Sequence, residues 1–225
     1  MSKVWLTAAL VFAIAAAGCS VLPGARHEIP PYPLLSENRL ALTKEYARIH
    51  YGIDGYKLKD PRLVIIHYTA LHTFQESLDF MRPDELSDIR GDIRSGGRVN
   101  VGAHYLVDRN GVIYNLLPDD IMARHAIGFN YTAIGVENVG RDRNDLTEAQ
   151  VEANIKLIRR IKNKYPDIEF LIGHHEYAVK ELPHYILFRE LDGRYRVTDK
   201  IDPGDAFMAK IRAGLRERYG LHLKH

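Results

Sequence analysis

The chain has 225 residues, 46% hydrophobic and 27% charged, with 31 Lys+Arg against 29 Asp+Glu and a single cysteine. This composition suits one globular domain with a short extension and an ample core, and it argues against a disordered chain. A formal net charge of +2 supplies no strongly basic face for nucleic acid. One cysteine excludes an intramolecular disulfide framework, an iron–sulfur cluster and a multi-cysteine zinc site.

The N-terminus reads as an address. Lys3 precedes an apolar run from Val4 to Ala17, broken only by Thr7, and small residues follow. Basic start, apolar middle and small-residue end are the order of a secretory signal, which residues 1–18 are expected to form. The run is shorter than the roughly 20 residues a spanning helix needs. Ala16-Ala17-Gly18-Cys19-Ser20 resembles the lipobox of bacterial lipoproteins, with Ala16 where Leu is usual. The resemblance implies a lipid on Cys19, a membrane anchor, and, from Ser20 in place of Asp, the periplasmic face of an outer membrane where the host has one. Ordinary cleavage near Gly18, leaving a free thiol, is the alternative.

Residues 19–61 are rich in Pro, Tyr and charge, including Pro30-Pro31-Tyr32-Pro33. The expectation is a tether that becomes an ordered but irregular arm near Leu40–Gly55. Residues 62–225 form the expected main domain. Leu63-Val64-Ile65-Ile66-His67 is a short continuous apolar run, as in a strand buried on both faces. Thr73-Phe74-Gln75-Glu76 has the form of a capping box opening a short helix with Leu78 and Met81 inward. Val101–Val107 and Val112–Leu117 flank Asp108-Arg109-Asn110-Gly111, a hairpin signal. Ala133–Val139 predicts a further strand. Thr147-Glu148-Ala149-Gln150 opens a helix with Val151, Ile155, Ile158 and Ile161 on one face, which Pro166 stops. Glu169–Gly173 predicts a fifth strand, and an amphipathic helix follows from about Asp205 to Tyr219. The fold class is therefore α/β, a mixed central β-sheet flanked by helices.

Some polar residues exceed what a fold requires. His67 ends the most apolar strand, His174 ends another, and Asp202 precedes the last helix. Two imidazoles and one carboxylate are a catalytic zinc set, with the fourth position left for water. Each also has a local reading: a strand-end His is commonly a hydrogen-bonded structural residue, and Asp202 before Pro203 suits a helix N-cap. His175 competes with His174. Glu137 places a carboxylate in an apolar strand, either facing water on a sheet edge or facing a cleft as a general base. Lys200 could supply positive charge to an oxyanion, or lie on the surface.

Taken together, Val64–Ala70, Ala103–Gly111, Arg124-His125-Ala126, Ile134–Asn138, Ile172-Gly173-His174 and Lys200-Ile201-Asp202-Pro203-Gly204 resemble the zinc-dependent N-acetylmuramoyl-L-alanine amidases, a family that includes peptidoglycan-recognition proteins. The resemblance spans about Arg62 to Ala213. It implies a peptidoglycan-recognition-protein-like fold and Zn2+ held by His67, His174 and Asp202. It also implies Glu137 as catalytic glutamate, Lys200 stabilising the oxyanion, His125 in the substrate groove, and His104 as structural. The implied reaction cleaves the amide between N-acetylmuramic or anhydro-muramic acid and L-alanine in peptidoglycan or muropeptides, in cell-wall turnover. A monomer is expected. The chain departs from compact members between His174 and Asp202, where residues 176–199 add a loop or hairpin expected to lie over the cleft. A non-catalytic peptidoglycan binder and a zinc peptidase acting within the stem peptide are the alternatives; no His-Glu-x-x-His helix supports the latter.

Overall fold

The computed structural model describes Met1 and residues 31–225. The export signal, Cys19 and the first part of the tether lie outside the described residues. Five strands form one mixed sheet: β1 (Leu63–Tyr68), β2 (Tyr105–Val107), β3 (Ile113–Asn115), β4 (Ala133–Asn138) and β5 (Phe170–Gly173), in the order β3-β2-β4-β1-β5. Only β3 is antiparallel to its neighbour. Four α-helices stand among the described residues: α1 (Glu37–Tyr51), α2 (Phe74–Met81), α3 (Glu148–Lys164) and α4 (Asp205–Tyr219).

The parallel centre explains the sequence of β1. It lies between β4 and β5, so Leu63, Val64, Ile65 and Ile66 are all buried, and alternation would leave polar groups in the core. The hairpin strands β2 and β3 are shorter than Val101–Val107 and Val112–Leu117, three residues each. Gly102 N–H is instead taken by the Arg124 carbonyl at 3.0 Å, which draws that stretch away from the ladder. The predicted capping box at Thr73/Glu76 is present, and the helix expected to open at Thr147 starts with a second one, Thr147/Gln150.

The two faces of the sheet have different duties. Asn154 of α3 donates to Asn138 of β4 at 2.7 Å, so the face carrying Ile134, Val136 and Asn138 is the one α3 covers. Helix α4 packs beside α3, with Ile155 seated where a Cβ on Gly214 would stand. The opposite face, by strand alternation, carries Gly135, Glu137 and His67. There Leu106 packs with Leu34, Leu78 and Met81, which places α2 on that side. The free edges are covered by main chain: Tyr32 and Leu34 donate to Asn115 and Leu116 beside β3, and Lys224 pairs with β5, which removes templates for edge-to-edge association. Among the described residues no helix is long and apolar enough to cross a membrane.

The segment expected to be an irregular arm contains a regular helix. Ser36 caps α1 through its side chain, and Gly52, at φ 63°, ends it in the left-handed region. Leu42, Tyr46, Ala47 and Tyr51 are buried, a helical spacing. Pro-rich sequence before it and scattered charge within it hid that pattern. Buried Arg39 ties α1 to the carbonyls of Met81 and Pro83, 2.6 Å each. At its other end, His50 meets Glu190 at 2.8 Å and Gly96 O at 3.0 Å. Residues 176–199 form no hairpin; they run as a loop with a 3-10 turn at Pro183–Leu187, pinned to α1 through Glu190 and Leu191.

Candidate active site

The C-terminal ends of β1, β4 and β5 open into a cleft of about 240 Å³ lined by His67, His125, Glu137, His174, Lys200 and Asp202, among others. Parallel strands end together, so residues far apart in sequence converge where their side chains leave the sheet. His67 and Glu137 are register partners in β1 and β4. His174 follows β5 directly, in a 3-10 turn.

His67, His174 and Asp202 bring one donor atom each to within 4.8 Å of the others. Nδ1 of His174 stands 3.1 Å from Asp202 Oδ2, and Nδ1 of His67 stands 3.3 Å from the same oxygen. A tetrahedral zinc with bonds of roughly 2.0–2.1 Å separates its ligand atoms by about 3.3 Å. The spacing and the N, N, O donor set therefore fit a zinc ion. All three residues are buried. Burial alone would raise the Asp202 carboxyl, but the two imidazoles outweigh it and hold the group well below the carboxylate range. Burial pushes His174 down to about 4, with opposing help from Asp202, so the ring is neutral near pH 7, the form that binds a metal.

Asp202 is not the cap of the last helix. Gly204 occupies that position, and α4 begins at Asp205. His175, the next residue of the same 3-10 turn, takes other partners: its Nε2 meets Asp205 Oδ1 at 2.9 Å and its Nδ1 the Asp202 carbonyl at 3.1 Å.

Glu137 lies in an interior strand, not on a sheet edge. Its Oε2 is enclosed and has no hydrogen-bond partner among the described residues. Burial pushes its carboxyl up to about 7; His67 and Lys200 oppose the rise and Asp202 adds to it. A carboxylate with an unused lone pair at a cleft, titrating near neutrality, is suited to proton transfer. Its neighbour Asn138 donates to the His67 carbonyl at 3.0 Å and is itself held by Asn154 of α3, which fixes the β1–β4 ends from behind.

His125 lines the cleft, and its Nδ1 stands 3.1 Å from His67 Nε2. Burial, with the neighbouring His67, His104 and His174, keeps His125 well below its ordinary value. A neutral His125 accepts the Nε2 proton of His67 and leaves His67 Nδ1 turned to Asp202; such outer contacts set the tautomer of metal-bound histidines. The His125 ring rests on Gly135, where a Cβ would approach it to 2.8 Å. That contact accounts for a glycine in the middle of β4. His104 is structural: buried, it accepts from Gly135 N–H at 3.0 Å and meets the Ile121 carbonyl at 2.9 Å.

Sequence reasoning gave no role to Arg124 and did not single out Tyr177, Tyr195 or Thr198, all of which also line the cleft. Buried Arg124 donates to the carbonyls of Ile93, Gly97 and Val99 and to the Tyr195 hydroxyl. Its position beside His125 was the available signal, since a buried guanidinium needs several acceptors and so organises the surrounding loops.

The sequence profile of the N-acetylmuramoyl-L-alanine amidase family matches residues 57–205. The chain belongs to this family. The endolysins of Klebsiella phage KP32 and Escherichia phage T7 are each 29% identical to this amidase-family chain over 108 residues, 45% of its length and 71% of theirs. Its fold is similar to that of AmpD, crystallised as a selenomethionine derivative. The TM-score there is 0.50 at 23% identity, over 71% of this chain and 89% of that one. Its general activity is accordingly of the amidase and endolysin type, hydrolysis of peptidoglycan. Helix α1 lies outside the matched residues, whereas His67, His125, Glu137, His174, Lys200 and Asp202 all lie within them.

Proposed function

We propose that the chain is a zinc-dependent N-acetylmuramoyl-L-alanine amidase, cleaving the amide between the lactyl group of muramic or anhydro-muramic acid and L-alanine. The observation that carries this reading is the pairing of the His67/His174/Asp202 donor set with an unpartnered Glu137 one strand away. Zinc, when bound by His67, His174 and Asp202, supplies Lewis acidity that draws the pKa of water from 15.7 towards about 7. Glu137 takes the proton of the attacking water through Oε2 and passes it to the departing alanine nitrogen. Lys200, at the same cleft, donates from its ammonium to the oxyanion that develops on the carbonyl. His125 holds the His67 ring in place and forms part of the wall of the substrate groove.

We also propose that residues 1–18 direct export and that Cys19 carries a lipid, which would hold the enzyme at a membrane facing the murein. Palmitate label should appear on the wild type and vanish in Cys19→Ala; an unlabelled wild type, or a labelled variant, removes the anchor. The reaction is tested by mass spectrometry of digested muropeptides. Free stem peptide with an intact glycan is expected. Shortened stem peptides would point to a peptidase, and unchanged substrate to a binder.

A further inference from the structure

His174 and Asp202 stand 28 positions apart, yet their donor atoms must keep one spacing. A loop of that length does not hold its own ends, because each added residue enlarges the ensemble the closed form must be selected from. The closure is made at the base of the loop. His175 N–H donates to the Asp202 carbonyl at 2.7 Å. The Tyr177 hydroxyl donates to the Thr198 carbonyl at 2.7 Å and accepts the Thr198 N–H at 2.7 Å. Tyr177 is 1% exposed, and its ring lies 4.8 Å from that of His174 and 6.4 Å from that of Phe129. The ring is thus fixed by packing, and the hydroxyl projects a rigid donor and acceptor onto the returning chain.

Resting on the zinc-amidase reading above, we propose that Tyr177 is a positioning residue: its hydroxyl clasps the backbone of Thr198 and thereby sets Lys200 and Asp202 against His67, His174 and Glu137. Both contacts are to main chain, so they fix the path of the segment regardless of the side chain at 198. Thr198 Oγ1 takes no part and has no partner among the described residues. Lys200 is two residues beyond the clasp and Asp202 four, so little rotation is available to absorb a displacement at 198. Tyr177 itself follows His174 by one 3-10 turn. One short segment therefore carries a ligand and the group that places the other ligand. A buried hydroxyl left without partners is costly, so the closed arrangement is favoured before any metal binds.

The test is Tyr177→Phe in the full chain, which keeps the ring packing and deletes both hydrogen bonds. In the metal-free protein, amide exchange at Thr198 should accelerate at least about ten-fold, as expected for loss of a buried acceptor. Zinc affinity, measured by chelator competition, should weaken about ten-fold or more, the usual scale for losing a group that orients a ligand. On muropeptide, kcat should fall with little change in KM, since Lys200 and Asp202 act at the reacting centre. Thr198→Val keeps both backbone contacts and should keep the zinc affinity. If Tyr177→Phe fails to fold, Thr198→Pro deletes the N–H with Tyr177 in place and should weaken zinc in the same way. Exchange at Thr198 and zinc affinity both equal to wild type would overturn the proposal. A wild type that binds zinc but leaves muropeptides uncleaved would overturn the amidase reading alone, because exchange and affinity still report on Tyr177.

Discussion

The buried carboxyl of Glu137 predicts an inverted pH dependence in the metal-free protein. A surface carboxylate titrates near 4.5, whereas burial holds Glu137 at about 7. Below pH 4.5 the group is protonated in both folded and unfolded chains and makes no difference to stability. Between 4.5 and 7 the unfolded chain gives up a proton that the folded chain keeps, so stability falls as pH rises, and above 7 the full cost remains. The two values differ by an amount corresponding to about 3 kcal/mol. Glu137→Gln has the same shape and cannot ionise. In urea titrations with chelator present, the variant should gain on the wild type by about 2–3 kcal/mol between pH 5 and pH 8. Any fixed offset from replacing an oxygen by an amide cancels in that comparison. Added zinc should shrink the gain, because a dication beside Glu137 stabilises its ionised form. Parallel stability profiles for the two proteins would refute the reasoning, since Glu137 would then be solvated and not held ready to accept a proton.

Asp202→Ala should lose stoichiometric zinc and, with it, the stabilisation of about 2.7 kcal/mol expected at a hundred-fold excess over Kd; calorimetry with and without metal checks this. Gly135→Ala drives a methyl to 2.8 Å from the His125 ring and should cost about 1–3 kcal/mol in a urea titration, with zinc affinity reduced through His67. His104, pushed down to about 4 by burial, supports the fold fully above pH 6.5 as a neutral ring. Its contribution is lost as pH falls from 6.5 towards 4, to a total of about 3 kcal/mol, and His104→Gln should flatten the acid limb of the stability curve.

The parallel centre of the sheet was legible because a strand buried on both faces has no freedom to be polar, and Leu63–Ile66 show it. The capping box at Thr73/Glu76 was legible because two reciprocal hydrogen bonds require particular residues three positions apart. Helix α1 was not, because its apolar face is built from Tyr46 and Tyr51 as much as from Leu42, and tyrosines beside Pro-rich coil read equally well as a linker. From local pattern alone the metal set could be read only as residue types at two strand ends and before a helix, and it was the family resemblance that grouped them. Convergence depends on β1 lying between β4 and β5, and no local pattern states that order. Asp202 illustrates the limit: its sequence neighbours suit a helix cap, and only the start of α4 at Asp205 frees its carboxylate for the two histidines. Tyr177 was invisible for a related reason, since its partner is a backbone 21 positions away and leaves no mark on residue type.

The central claim is that one zinc, held by His67, His174 and Asp202, serves amide hydrolysis with Glu137 as base. The most direct measurement is metal content and muropeptide cleavage on the same preparation of residues 20–225, wild type beside Glu137→Ala. The account predicts one zinc per chain in both proteins, release of free stem peptide by the wild type, and turnover lower by orders of magnitude in the variant. Zinc lost from Glu137→Ala, or near-normal cleavage by it, would contradict the account.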